Sequence, residues 1–332
     1  MKKICFIIPY FGKFPNYFQL FLKTCASNTN YDWLIFTDDN TEYIYPSNVK
    51  RIFTSFEDVK KVFASKFNFK LALDSPYKLC DFKPTYGYVF EDYLKDYLFW
   101  GHCDVDTLMG NLDDYLTDNF LSMYDKIFAL GHMTLYRNTY ENNRVFMRTY
   151  KGRCLYKEYL SNPNICVFDE DCKTEYNIHN LFKSEGKRVF DGDFSLNFDV
   201  SILKFNRICY IGLQKFPLSY GHMHIKEKGK NIYFWNKGSI ENYNINAHRV
   251  VKKTYLYVHF QMRRMYMMPD VQNVDVIRFA PNVFSKEKYI IDEKYLQVVS
   301  PWVTYPGFFK TICSYSWKNF RHTIGNLIRK FK

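Results

Sequence analysis

Two aspartates one residue apart, Asp104 and Asp106, lie in Trp100-Gly-His-Cys-Asp-Val-Asp106, followed by Thr107-Leu-Met-Gly110. Carboxylates at this spacing can close on one hard divalent cation, which can bridge two phosphate oxygens of a ligand. Taken alone, an Asp-x-Asp pair is a common feature of solvated loops. Here the apolar run Tyr97 to Trp100 precedes it and Gly101 and Gly110 flank it. The pair is therefore expected just past a buried strand, at the edge where open α/β sheets bind ligands. Asp169 and Glu170, in Val167-Phe-Asp-Glu-Asp171, are candidates for a general base, with Asp191 and Asp193 around Gly192 as alternatives. His259 could add an imidazole ligand beside two carboxylates, although a lone histidine on an apolar strand is more often a core residue. His222 and His224 are its rivals. Gln261, Arg263 and Arg264 follow His259 closely, and the arginines suit a diphosphate. Lys78, Asp81 and Lys83, in Tyr77-Lys-Leu-Cys-Asp-Phe-Lys-Pro84, could reach a base, ribose or phosphate; an exposed ion pair at i, i+3 is the plainer alternative.

These residues need a frame. Ile4 to Tyr10 is a continuous apolar run ended by Gly12 and Pro15, and Asn16 to Cys25 carries Phe18, Phe21, Leu22 and Cys25 at helical spacing. Trp33 to Thr37 and Val49 to Phe53 read as further strands, the latter followed by the helical pattern Val59, Val62, Phe63, Phe67. Strands alternating with helices predict a largely parallel sheet. A helix is expected from Tyr77 to about Tyr97, then a strand delivering the aspartate pair. Lys126 to Leu130, Lys187 to Phe190 and Tyr255 to Phe260 are expected strands.

The chain has 332 residues, 47% of them apolar, with 14 Gly and 11 Pro, which excludes disordered and collagen-like classes. Forty-six Lys and Arg against 34 Asp and Glu leave a net charge of +12, so an anionic partner is expected. Nine scattered cysteines read as reduced thiols of a cytoplasmic protein, and no Cys/His spacing fits zinc. No apolar run approaches the ~18 residues of a membrane span. Met1-Lys-Lys3 before Ile4 to Phe11 imitates a secretion signal, but Pro9, Gly12, Lys13 and Pro15 break the run early.

With the aspartate pair in this frame, the sequence resembles glycosyltransferases of the GT-A fold. It is similar to bacterial enzymes of capsule and O-antigen clusters in Phe6-Ile-Ile-Pro-Tyr-Phe11, Tyr77-Lys-Leu-Cys-Asp-Phe-Lys-Pro84, Trp100-Gly-His-Cys-Asp-Val-Asp106, Gly131-His-Met-Thr-Leu-Tyr-Arg-Asn138, Phe168-Asp-Glu170 and His259-Phe-Gln-Met-Arg-Arg-Met265. The resemblance spans about residues 4 to 266. It implies an α/β GT-A fold, a Rossmann-like nucleotide-binding half with a mixed, mainly parallel central sheet. It also implies transfer of a hexose of the galactose, glucose or galactofuranose type from a UDP-linked donor to a saccharide acceptor, with Mn²⁺ or Mg²⁺ and, by expectation, inversion. In such a fold Pro9, Tyr10 and Phe11 together with Thr37 and Asp38 form the base pocket, Asp39 being either part of it or a helix cap. Asp104, Asp106 and His259 hold the metal, with Asp104 also meeting the donor. Lys78, Asp81, Lys83, Gln261, Arg263 and Arg264 bind the donor, and Asp169 or Glu170 serves the acceptor.

The chain divides on this reading into a catalytic domain, 1–300, with a nucleotide-binding half, 1–125, and an acceptor half, 126–300, and a tail, 301–332. The tail holds six basic residues and no acid. From Phe309, apolar residues recur every three or four positions through Cys313, Trp317, Phe320, Ile324, Leu327 and Phe331, with lysines and arginines on another face. This pattern predicts a basic amphipathic helix, either packed on the domain or laid on an anionic membrane. The membrane reading places the protein peripherally on the inner face of the cell membrane, where a lipid-linked oligosaccharide acceptor would be met. A nucleic-acid-binding or nucleotidyl-transferring protein would also explain the pI near 9.0 and the 29 Tyr and 32 Phe. The basic residues, however, concentrate in the tail and the aromatics fall at buried spacings, so no nucleic-acid partner is expected.

Overall fold

A computed structural model describes residues 2–171, 174–199, 204–210, 212, 222–225, 228–247, 249–311 and 313. The first half alternates as expected: β1 (Lys2–Pro9), α1 (Phe18–Ala26), β2 (Tyr31–Thr37), β3 (Val49–Phe53), α2 (Phe56–Lys66) and β4 (Tyr97–Cys103). Its strands are parallel in the order β3-β2-β1-β4. The continuous apolar run of β1 follows from burial of both faces. Ile4, Phe6 and Ile8 join the core containing Phe18, Phe21 and Leu22 of α1, while Cys5 and Ile7 join the opposite core with Val59 and Phe63 of α2. Ser55 caps α2 by accepting the Asp58 backbone N–H at 3.1 Å.

The segment expected to be one helix from Tyr77 to Tyr97 is instead a series of short turns, of which α3 (Leu79–Phe82) is one. Pro84 lacks an N–H and its ring collides with the preceding turn, so a continuous helix cannot pass through it. β4 runs on through Gly101, His102 and Cys103, and ends directly at Asp104.

Beyond the aspartate pair the short β5 (Thr107–Met109) leaves this sheet, and β6 (Lys126–Leu130), β7 (Met133–Arg137) and β8 (Val189–Phe190) extend it to seven strands, β3-β2-β1-β4-β7-β6-β8. Only β7 runs antiparallel to its neighbours, so the sheet is mixed and mainly parallel, the α/β class expected. It continues without a break across residues 125 and 126. Then come β9 (Ser195–Phe198), β10 (Arg207–Tyr210), β11 (His222–His224), β12 (Lys230–Asn236), β13 (Ser239–Asn246), β14 (Arg249–Tyr255), β15 (Tyr257–His259), β16 (Tyr266–Met267), β17 (Val276–Ala280) and β18 (Val283–Lys286). A second sheet has the order β11-β10-β9-β15-β5 and a third β14-β13-β12-β17-β18-β16. The single strand expected over Tyr255 to Phe260 is split at Leu256, where the chain passes from the third sheet into the second. There the Leu256 carbonyl accepts the Gly110 N–H at 2.8 Å.

No helix among the described residues is long and apolar enough to cross a membrane. The helix expected in the tail lies, past Cys313, outside the described residues. Among those described, eight cysteines are free thiols.

Candidate active site

A cleft of about 690 Å³ opens at the carboxyl ends of β1 and β4. The second sheet brings three far-apart segments to it in register. His259 on β15 pairs with Thr107 on β5 and with Asn197 on β9. This places His259 beside the aspartate pair. Ligand atoms of Asp104, Asp106 and His259 lie within 4.8 Å of one another. Asp106 and His259 are buried and Asp104 is half-buried. His259 Nε2 is 3.5 Å from Asp106 Oδ2, too long for a good hydrogen bond. Burial disfavours charge on His259, but Asp106 outweighs it and raises the imidazole pKa. Two carboxylates and one imidazole form an oxygen-rich set with one nitrogen, which fits Mn²⁺ or Mg²⁺. Asp106 Oδ2 also accepts the Met262 N–H, and the Phe260 N–H donates to the Asp106 carbonyl at 3.0 Å, so the turn after β15 is tied to the pair. Gln261 and Met262 take left-handed φ values of 50° and 53° in that turn.

Lys83 crosses the cleft floor. Its Nζ donates to Asp104 Oδ1 at 2.9 Å and to the Gly131 carbonyl at 2.8 Å, and lies 3.4 Å from Asp169 Oδ2. Burial opposes its charge, yet Asp104 and Asp169 together hold its pKa well above the ordinary value. Asp169 is buried, and that burial, reinforced by Glu170 against the pull of Lys83, pushes its carboxyl up to about 7. Glu170 accepts the Gly131 N–H at 3.2 Å. Gly131 is needed at this point, because a Cβ there would stand 2.5 Å from Asp169 Oδ2.

The structure sorts the remaining expected residues. Pro9, Tyr10, Phe11, Lys83 and Gln261 line the cleft, as do both aspartates of the pair, Asp169, Glu170 and His259. Thr37 and Asp38 do not. Thr37 is buried, its hydroxyl accepting the Asp39 N–H at 3.1 Å, and Asp38 accepts the N–H of Gly12, a residue at φ +92°, at 2.7 Å. Asp39 is held by Lys13 and the Phe14 N–H, so this carboxylate pair braces the loop after β1.

Lys78 and Asp81 require a correction as donor-binding residues. They form a buried ion pair at 2.7 Å, with Lys78 also donating to the carbonyls of Tyr159 and Asn164 and Asp81 accepting the N–H groups of Cys166 and Phe168. Together they dock the strap 159–168 that leads into Asp169. Arg263 is likewise buried, donating to Asn282 Oδ1 and to the carbonyls of Asp199 and Lys204, while Arg264 is exposed and outside the cleft wall. His224 stands 3.6 Å from Asp199, away from the aspartate pair. Asp191 meets His179, and Asp193 accepts the Ser195 and Tyr210 N–H groups, so neither faces the cleft.

His132, Asn197 and Tyr77 line the cleft without having been singled out from sequence. His132 sits in the Gly131-His-Met-Thr segment, and its ring stacks on that of His259 with centroids 4.4 Å apart. Nothing in the sequence around Asn197 marks it, since its role depends on strand pairing.

The family DUF6625, a family of unknown function, matches residues 6–288. The chain belongs to DUF6625. No curated protein matches it. Among solved structures this DUF6625 chain is similar to the galactosyltransferase LgtC in complex with donor and acceptor sugar analogs, at 13% identity and a TM-score of 0.34, over 59% of this chain and 75% of that one.

Proposed function

We propose that this DUF6625 protein is a metal-dependent glycosyltransferase that moves a hexose from a nucleotide-diphosphate sugar, UDP-linked, to a saccharide acceptor. The observation that carries the reading is the Asp104–Asp106–His259 group at the end of the central strand, in one cleft with the buried carboxylate of Asp169. A divalent cation held by Asp104, Asp106 and His259 would supply positive charge for the leaving diphosphate. Pro9, Tyr10 and Phe11 offer the wall against which a base can pack. Asp169 is the acceptor's base: it takes the proton of the attacking hydroxyl as the new glycosidic C–O bond forms and the bond from the anomeric carbon to the diphosphate breaks, its electron pair leaving with the diphosphate. Lys83, fixed between Asp104 and Asp169, keeps the two carboxylates together despite their repulsion. Glu170 holds the Gly131 backbone and thereby the floor under Asp169. The setting in capsule or O-antigen synthesis rests on the sequence resemblance.

The direct test is hydrolysis of UDP-sugars with and without Mn²⁺. Metal-dependent release of UDP supports the reading, and its absence for every common UDP-hexose counts against it.

A further inference from the structure

Behind His259 a buried chain of polar side chains runs along the cleft wall. His259 Nδ1 is 3.0 Å from Asn197 Oδ1. The same oxygen is met by Gln261 Nε2 at 3.4 Å. Asn197 Nδ2 faces His132 Nε2 at 3.5 Å, and His132 Nδ1 is 2.7 Å from the Tyr257 hydroxyl. All four of Tyr257, His132, Asn197 and His259 are buried.

We propose that Asn197 is a positioning residue that fixes His259 as the Nδ1–H tautomer, leaving the Nε2 lone pair directed at Asp106 and free for a divalent cation. The inference rests on the metal-site reading above. With the amides of Asn197 and Gln261 oriented as they stand, one proton arrangement fits these contacts. His132 donates from Nδ1 to the Tyr257 oxygen, which leaves His132 Nε2 as an acceptor for Asn197 Nδ2. The amide oxygen of Asn197 is thereby turned toward His259 and must receive a proton from Nδ1. The reverse arrangement requires the amides of Asn197 and Gln261 to turn together and the Tyr257 hydroxyl to donate to His132 Nδ1. Ring orientation is secured separately by the 4.4 Å stack of His132 on His259. The β9–β15 register, which pairs Asn197 with His259, sets the distance. Partners of this kind behind a ligating histidine raise metal affinity by about 10–100-fold, because they hold tautomer and ring together.

The experiment measures Mn²⁺ affinity directly, from the free-Mn²⁺ electron paramagnetic resonance signal, in the absence of any sugar nucleotide. Asn197→Ala is expected to weaken binding by about 10–100-fold, and Asn197→Asp, which keeps an acceptor for Nδ1, to bind close to wild type. Tyr257→Phe removes the acceptor at His132 Nδ1, frees His132 to change tautomer, and is expected to weaken binding several-fold; it also serves if Asn197→Ala does not fold. Wild-type affinity in folded Asn197→Ala, or in Tyr257→Phe should that variant stand in for it, overturns the assignment while leaving the metal site standing. Failure of the wild type to bind Mn²⁺ overturns both.

Discussion

At the scale of single residues, Asp169 is a carboxylate that changes charge near neutrality. Its burial and the neighbouring Glu170 raise the carboxyl from an ordinary value of 3.8 to about 7 despite Lys83. A base must be ionised to act, so the rate of transfer should rise from pH 6 to pH 8 and level off above; a flat profile over that range would place the base elsewhere. The linkage has the opposite sign for stability. The folded state binds this proton more tightly than the unfolded chain, so the contribution is present below about pH 4 and is lost as pH rises toward about 7. Asp169→Asn should lower kcat by about 10² to 10⁴ and leave Mn²⁺ affinity unchanged, as seen by single-turnover kinetics beside a binding titration. Asp106→Asn should instead remove metal binding and transfer together.

At the scale of elements, the site depends on three fixings: the strap 159–168, the turn at Gly131 and the strand row β5-β15-β9. Removing one partner of the buried Lys78–Asp81 pair, as in Asp81→Ala, leaves an uncompensated ammonium and is expected to cost about 3–5 kcal/mol, measurable by urea denaturation. Gly131→Ala places a methyl against Asp169 Oδ2, and a displacement of this order can lower kcat by about 10²-fold with little loss of stability. A kinetic assay beside a thermal melt separates the two effects. The same three fixings show what the sequence could and could not disclose. Strands β1, β2 and β4 were legible because a parallel strand buried on both faces carries a continuous apolar run, and the Asp pair because it directly follows one; β3, at the sheet edge with Lys50 and Arg51 exposed, gives only a short mixed run. Lys78 and Asp81 were misleading, since an i, i+3 pair looks alike whether it faces a ligand or a buried strap. Thr37 and Asp38 stand outside the cleft lining, in contacts that brace the loop after β1, and loop bracing uses the same polar types as a base pocket. Asn197 was invisible, since its meeting with His259 is created by register between β9 and β15, 62 residues apart in the chain, and the role of His132, in the turn between β6 and β7, depends on a ring stack between two sheets.

At the scale of the molecule, the first and second sheets meet at one cleft, and the positive charge the sequence concentrates in 301–332 falls mostly outside the described residues. Our proposal for that tail is peripheral attachment to anionic lipid, at about 1 kcal/mol for each Lys or Arg near the surface. Removal of residues 309–332 should then abolish salt-sensitive binding to anionic liposomes and slow transfer to a lipid-linked acceptor more than to a short soluble one. Equal liposome binding by both forms would assign the tail to packing.

The central claim is that the cleft takes a nucleotide sugar together with a divalent cation, and thermal unfolding with a panel of UDP-hexoses, each with and without Mn²⁺, tests it most directly. Ligand at about 100 times its Kd adds about 2.7 kcal/mol of stability. We therefore predict a rise in Tm for at least one UDP-hexose that requires Mn²⁺ and disappears in Asp104→Asn and Asp106→Asn. A panel in which no UDP-hexose raises Tm, with or without the metal, would contradict the account.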